Sequence, residues 1–261
     1  MKDRIISAIV MVIIFVPILL LGNPYYTILG SILGMMSLWE LLRLRKNIPL
    51  VMQIISYVVT LFLILYNLND GYFLGNNFYL FFIILFLVYA ISVIIKGDLE
   101  KYNYKDSMWL LFISFLVGLM FNSFIKLRII GLNEVIYCFL ISTMTDTFAL
   151  FGGKMFGKHK FTSISPNKTI EGSITGSIFG TIVASLFYCL VIGNMDIIIV
   201  VVLSLLLTIL GQLGDLFFSS IKRSHNIKDF SQLIPGHGGI LDRLDSVIFV
   251  ILGFLLYILI I

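Results

Sequence analysis

The chain is 261 residues long, 59% hydrophobic and only 12% charged, where soluble globular proteins are about half apolar and about a quarter charged. With a mean hydropathy of +1.06 there is too little charged surface to solvate even one water-soluble domain, so lipid is the expected solvent. The 18 Lys and Arg against 14 Asp and Glu read as a membrane-orientation signal rather than a nucleic-acid footprint, and no nucleic acid is expected as a partner. Cys138 and Cys189 fall inside apolar runs, which argues against a disulfide framework or a cysteine metal site.

Runs of roughly 18 to 25 apolar residues can cross the hydrocarbon layer as helices. They occur near 5–22, 25–42, 50–68, 77–95, 107–125, 133–151, 171–192, 197–218 and 245–261. The expected fold is therefore an all-α polytopic integral membrane protein of about nine transmembrane helices. The first run lacks a small-residue cleavage site and leads through Pro24 straight into the second, so it is kept as a helix rather than a signal peptide. With nine crossings, every Lys and Arg except Lys126 and Arg128 falls on the side of the N-terminus. That bias predicts a cytoplasmic N-terminus and an outside C-terminus, and the expected location is the inner (cytoplasmic) membrane of the cell, multi-pass, with the active site facing the cytoplasm. Residues 1–130 carry no cluster of ionisable groups and read as scaffold or dimer surface. Residues 131–261 hold the polar cytoplasmic segments 152–170 and 219–244, and so the chemistry.

Four acids stand out by depth. Asp146, in Ser142-Thr143-Met144-Thr145-Asp146-Thr147, lies about six residues, or about 9 Å, from the cytoplasmic end of the sixth span, where a carboxylate must be paired, protonated or hydrated. Asp215 follows Gly211-Gln212-Leu213-Gly214, and if the eighth helix continues, Ser219 and Lys222 share its face at spacings of four and seven. Asp242 and Asp245 are three apart at the start of the ninth span. As hard oxygen donors they suit Mg²⁺ bound together with substrate phosphates.

The run from Pro235 to Asp245 contains Gly236, His237, Gly238, Gly239 and Arg243. Its glycines let backbone N–H groups approach an anion, and a helix starting near Leu241 adds a positive dipole end. This is a phosphate cradle in outline. In Ser165-Pro166-Asn167-Lys168-Thr169-Ile170-Glu171-Gly172, Ser165 can cap, Pro166 suits a first helical turn, and Lys168 then sits beside a bound phosphate. Lys154, Lys158 and Lys160 read as orientation charge. His159, His225 and His237 are too scattered to form a metal set.

The stretch from Ser219-Ser220-Ile221-Lys222-Arg223 through Lys228-Asp229-Phe230-Ser231 to Pro235-Gly236-His237-Gly238-Gly239-Ile240-Leu241-Asp242-Arg243-Leu244-Asp245 closely resembles the signature of the phosphatidate cytidylyltransferase, or CDP-diacylglycerol synthase, family. The run from Ser165 to Gly172 is similar to that family's second polar block, and the polytopic layout resembles it along the whole chain. Around the sixth helix the family pattern Asp-Thr-Gly-Ala-Tyr is replaced by Asp146-Thr147-Phe148-Ala149-Leu150, which keeps the acid and loses the glycine and tyrosine.

The resemblance implies that CTP and phosphatidate give CDP-diacylglycerol and pyrophosphate in a membrane-embedded homodimer. It implies a metal centre on Asp215, Asp242 and Asp245 holding Mg²⁺, alone or beside a K⁺ ion. Asp146 and Glu171 are expected to complete the metal shell or orient the basic residues. Lys222, Arg223 and His237 join the catalytic set, while Ser165, Asn167, Lys168, Glu171, Ser219, Gly238, Gly239 and Arg243 are expected to bind substrate. The competing readings are a CTP-using polyprenol or phytol kinase, a CDP-alcohol phosphotransferase, whose acidic pattern beginning Asp-Gly and followed by Ala-Arg is absent, and a cation-coupled transporter, which has no use for the glycine run.

Overall fold

The computed structural model describes residues 2–68, 78–96, 102–193 and 195–260, with side chains from Ile6 onward except at 78–80 and 96. The side chains of Lys2, Arg4, Lys96 and Lys101, used above for orientation, lie outside the described residues, as do the expected span ends at 77 and 261. Among the described residues there are nine α-helices: α1 (Lys2–Leu21), α2 (Tyr25–Leu42), α3 (Leu50–Leu65), α4 (Phe78–Lys96), α5 (Tyr104–Ile130), α6 (Leu132–Phe156), α7 (Ile170–Phe187), α8 (Ile197–Ser224) and α9 (Leu241–Ile260). A π-helical turn, Tyr188–Ile192, extends α7.

Each expected span coincides with one helix. Six of them, α2 and α5 to α9, are long and apolar enough to cross a membrane, and the apolar segments Ile6–Leu21, Leu50–Leu65 and Phe81–Ile95 are shorter. The outward and inward faces are those of a protein dissolved in lipid. On α7, Ile174, Ile178, Ile182 and Leu186 are exposed, while Gly172, Gly176, Gly180 and Ala184, offset by two positions, are buried. Apolar groups face out and small ones let helix backbones approach, because lipid offers no hydrophobic penalty to a bare isoleucine. The chain is a multi-pass membrane protein.

Two compact units are present, one of Met1–Ile9 with Leu127–Ile261 and one of Val10–Lys126. In the second, polar groups are satisfied between helices. Tyr89 shares hydrogen bonds with Ser56 at 2.8 Å and Ser114 at 3.0 Å. The Asn122 amide donates to the carbonyls of Leu63, Ile64 and Tyr66 at the end of α3, supplying donors that the last helical turn lacks. Lys126 and Arg128, expected in an outside loop, lie within α5, and Lys126 is buried. The connection to α6 is reduced to Gly131 because α5 runs on to Ile130.

In the first unit α6 packs on α7, α8 and α9, α7 on α8, and α8 on α9. The polar segments are shorter than expected, because α6 persists to Phe156, α8 to Ser224, and α9 begins at Leu241. What remains is a loop over 157–169 and a second over 225–240. Gly214 sets the spacing of α8 and α9: a Cβ there would stand 2.6 Å from the Asp245 carbonyl oxygen and 2.7 Å from the Phe249 ring. Asp215 and Asp245 are thereby held at one level. Gly214→Ala is expected to force the two helices apart, lowering stability by about 1–3 kcal/mol and turnover with it. Thermal unfolding in detergent beside an activity assay checks this, and unchanged values would remove the close approach as a requirement.

Candidate active site

The 157–169 loop folds back on itself as a short two-rung ladder. Phe161 N–H donates to the Lys168 carbonyl at 2.8 Å, Ile170 N–H to the His159 carbonyl at 3.0 Å, and Lys168 N–H closes the turn onto the Ser165 carbonyl at 3.0 Å. Ser165 and Pro166 therefore form the turn rather than the start of α7. The N-cap is Thr169, whose hydroxyl accepts from Gly172 N–H at 3.1 Å. Thr169 directly precedes the apolar run, so the ordinary capping preference was the signal that the proline rule overrode. Glu171 fastens the same loop: its carboxylate accepts from Lys158 N–H at 3.1 Å and His159 N–H at 3.3 Å, and lies 2.6 Å from His159 Nδ1. The ladder carries Lys168 to α8, where its ammonium pairs with the Asp215 carboxylate.

Beside that pair lies a cavity of about 490 Å³, within the range of small-molecule sites. Its lining includes Asp146, Lys154, Phe161, Ser165, Asn167, Lys168, Thr169, Gln212 and Asp215. Four of the expected substrate or metal residues are thus brought together with Asp146 around one space. Lys154, read from sequence as orientation charge, also faces it. Gln212 was missed: its amide donates to Ser177 Oγ at 2.8 Å and accepts from Ser173, tying α7 to α8. An amide in an apolar span one turn before an acid was the available signal.

The remaining acids converge from α9. Ser246 joins three of the polar groups, its N–H donating to Asp245 at 2.8 Å, and its hydroxyl meeting Asp146 at 3.3 Å and Ser142 at 2.9 Å. Asp146 interacts electrostatically with Lys168 and Asp215, and Asp245 with Asp215, Lys222 and Asp146. Asp215 also accepts from the Ser219 hydroxyl at 3.2 Å, one turn along α8. Among the described residues no three His, Cys, Asp or Glu side chains stand close enough to hold a metal ion by themselves.

Asp242 organises the glycine-rich loop instead. One oxygen accepts from Lys222 Nζ at 2.7 Å, and the other from the N–H groups of Phe230 and Gly239, both at 2.9 Å. Gly238 is at φ +88°, a backbone region that favours glycine, and a Cβ there would stand 3.0 Å from the Asp242 carboxylate. Lys222 also lies 5.4 Å from the centre of the Phe230 ring. Arg243 Nε donates to the His237 carbonyl at 2.8 Å, and Arg223 to the Ile227 carbonyl at 2.9 Å. Lys222, Arg223 and Arg243 therefore brace the loop, and none of the three lines the cavity. Ser7 of α1, which no sequence pattern singled out, reaches the same loop: its hydroxyl donates to the Pro235 carbonyl at 3.0 Å and lies 2.7 Å from His237 Nδ1.

The chain matches the profile of the cytidylyltransferase family over residues 2–261. It is 36% identical over 253 residues to the phosphatidate cytidylyltransferase of Staphylococcus haemolyticus strain JCSC1435 and 38% identical over 253 residues to that of Staphylococcus aureus strain COL, covering 96% of both chains in each case. To the phosphatidate cytidylyltransferase of Bacillus subtilis strain 168 it is 32% identical over 259 residues, covering 96% of this chain and 94% of the relative. The similarity runs through the helices as well as the polar loops, and on that extent the chain belongs to the cytidylyltransferase family.

Proposed function

We propose that the chain transfers the cytidylyl group of CTP to phosphatidate, giving CDP-diacylglycerol and pyrophosphate for phospholipid synthesis. The observation that carries this reading is the cavity where Lys168, Asp215 and Asp146 meet at the polar ends of α6, α7 and α8. The membrane edge is where a lipid phosphate and a water-soluble nucleotide can both arrive. The names of relatives matched over nearly the whole chain support the same reaction.

The phosphate of phosphatidate is ionised at neutral pH and serves as its own nucleophile, so no general base is required. Its obstacle is repulsion: an anion must approach the anionic α-phosphate of CTP in a medium that screens poorly. Lys168 meets that charge from the cavity wall, and Lys154 faces the same space. The loop held by Lys222, Asp242 and Arg243 presents His237 to the triphosphate, whereas the N–H groups of His237, Gly238 and Gly239, expected from sequence to cradle phosphate, are taken up by the Ile234 carbonyl and the Asp242 carboxylate. His237 is assigned to positioning and protonating the leaving pyrophosphate. No covalent enzyme intermediate is needed.

A divalent cation fits the chemistry of the donors. Mg²⁺ is commonly held by one or two carboxylates with substrate phosphates and water completing its shell, so a preformed cluster of three acids is not required. Asp215 and Asp245 would hold it, with Asp146 and Asp242 at the flanks, and K⁺ beside it is part of the same proposal. Bound there, the ion would neutralise charge on the reacting phosphates.

The orientation proposed is nine crossings, with the N-terminus and the site on the cytoplasmic side of the inner membrane and the C-terminus outside, in a homodimer. Purified protein incubated with phosphatidate, labelled CTP and Mg²⁺ is expected to form CDP-diacylglycerol and pyrophosphate, and chelation of Mg²⁺ to stop it. Release of CDP with a phosphorylated alcohol would replace this reading by a lipid kinase. Ion flux in vesicles without turnover would replace it by a transporter.

A further inference from the structure

Among the described side chains of the first helix, Ser7 reaches the unit that holds the site. Residues Met1–Ile9 belong with Leu127–Ile261, and Ser7 meets the glycine-rich loop across 230 positions of sequence. Its hydroxyl donates to the Pro235 carbonyl at 3.0 Å and lies 2.7 Å from Nδ1 of the half-buried His237. A hydroxyl has one proton and two lone pairs, and a carbonyl can only accept. With both contacts made as hydrogen bonds, the serine proton goes to Pro235 and the hydrogen shared with His237 comes from the ring. Nδ1 therefore carries a proton and donates it to Ser7. Nε2 is left as the nitrogen that can meet a ligand, accepting when the ring is neutral and donating when it is charged.

The backbone around His237 has its own supports. His237 N–H donates to the Ile234 carbonyl at 2.9 Å, Ile234 and Gly238 exchange hydrogen bonds of 2.9 and 3.1 Å, and Arg243 holds the His237 carbonyl. Asp242 anchors Gly239. Loss of the Ser7 hydroxyl thus leaves the loop braced. What it removes is the constraint on the ring, both its rotation and its choice of tautomer.

We propose that Ser7 is a positioning residue that, by accepting from Nδ1–H, fixes the orientation of the His237 ring, so that Nε2, which carries a proton when the ring is charged, is presented to the triphosphate of the nucleotide. This rests on the assignment of His237 to the leaving group. Threonine and valine have nearly the same shape and differ in the hydroxyl, so Ser7→Thr and Ser7→Val form a matched pair. In the full-length protein in detergent with phosphatidate, CTP and Mg²⁺, Ser7→Val is expected to lower kcat roughly ten- to a hundredfold, with KM for phosphatidate unchanged. Ser7→Thr is expected to keep wild-type kcat. In a His237→Gln background, Ser7→Val should add no further loss.

Equal kcat for Thr and Val at position 7, or losses that multiply in the double variant, would overturn the inference while leaving His237 in place. His237→Gln turning over at the wild-type rate would instead remove His237 from the reaction and the role of Ser7 with it. Independently of turnover, ¹⁵N shifts of the labelled His237 ring should report the Nδ1–H form in wild type and Ser7→Thr, and a mixture of tautomers in Ser7→Val. The same spectrum for all three would refute the proposal even if the wild-type chain used another substrate.

Discussion

Asp242→Ala is expected to abolish turnover, by about a thousandfold or more, and to loosen the loop over 225–240 in the same stroke. The side chain is only 4% exposed and its partner Lys222 only 9%, so the substitution leaves a buried ammonium without its counter-charge. It also strands the N–H groups of Phe230 and Gly239. Breaking a buried pair from one side costs about 3–5 kcal/mol, concentrated here on the segment that carries His237. Asp242→Asn keeps an acceptor for the two N–H groups and removes the charge facing Lys222, so it should retain more of the loop than of the activity. Limited proteolysis of the loop beside pyrophosphate release separates the two losses. An alanine variant with a resistant loop and a rate within a few fold of wild type would show that Asp242 has neither duty.

Asp215→Asn should be comparably severe, about a hundred- to a thousandfold in kcat/KM, and for a different reason. Asp215 does not hold a loop together. It faces the cavity, pairs with Lys168, accepts from Ser219, and stands within electrostatic reach of Asp146 and Asp245. Its neutralisation should leave the fold intact and raise the Mg²⁺ concentration needed for half-maximal rate. Lys168→Met, which removes the opposite charge from the same pair, should raise KM for CTP instead, because the ammonium is assigned to the nucleotide phosphates. A Mg²⁺ requirement unchanged in Asp215→Asn would displace the metal to other donors. An unchanged KM for CTP in Lys168→Met would confine that lysine to pairing with Asp215.

These two carboxylates illustrate the limits of linear reading. Both stood out in the sequence by the same signal, an acid near the polar end of an apolar helix. The structure gives them separate work, one bracing a loop and one facing a cavity. That division depends on which partners arrive from distant segments, and hydrophobic period carries no information about it. Glu171 shows the same thing: it was expected to bind substrate, complete the metal shell or orient basic residues, and the folded loop has it accept from Lys158 and His159. Lys126 was placed in an outside connection by ending the fifth span at residue 125, whereas α5 runs on to Ile130 and Lys126 is buried within it.

Legible along the chain were the helices themselves and the polar segments where chemistry gathers. All of these are local properties, written as spacing within a few turns and enforced by the need of a backbone in lipid to satisfy its own hydrogen bonds. Decided only by the packed structure were the pairing of Lys168 with Asp215, the close approach at Gly214 that brings Asp245 level with it, and the reach of Ser7 to His237. Each joins residues far apart in sequence through the geometry of close-packed helices, and a contact of that kind leaves no period, spacing or composition behind it.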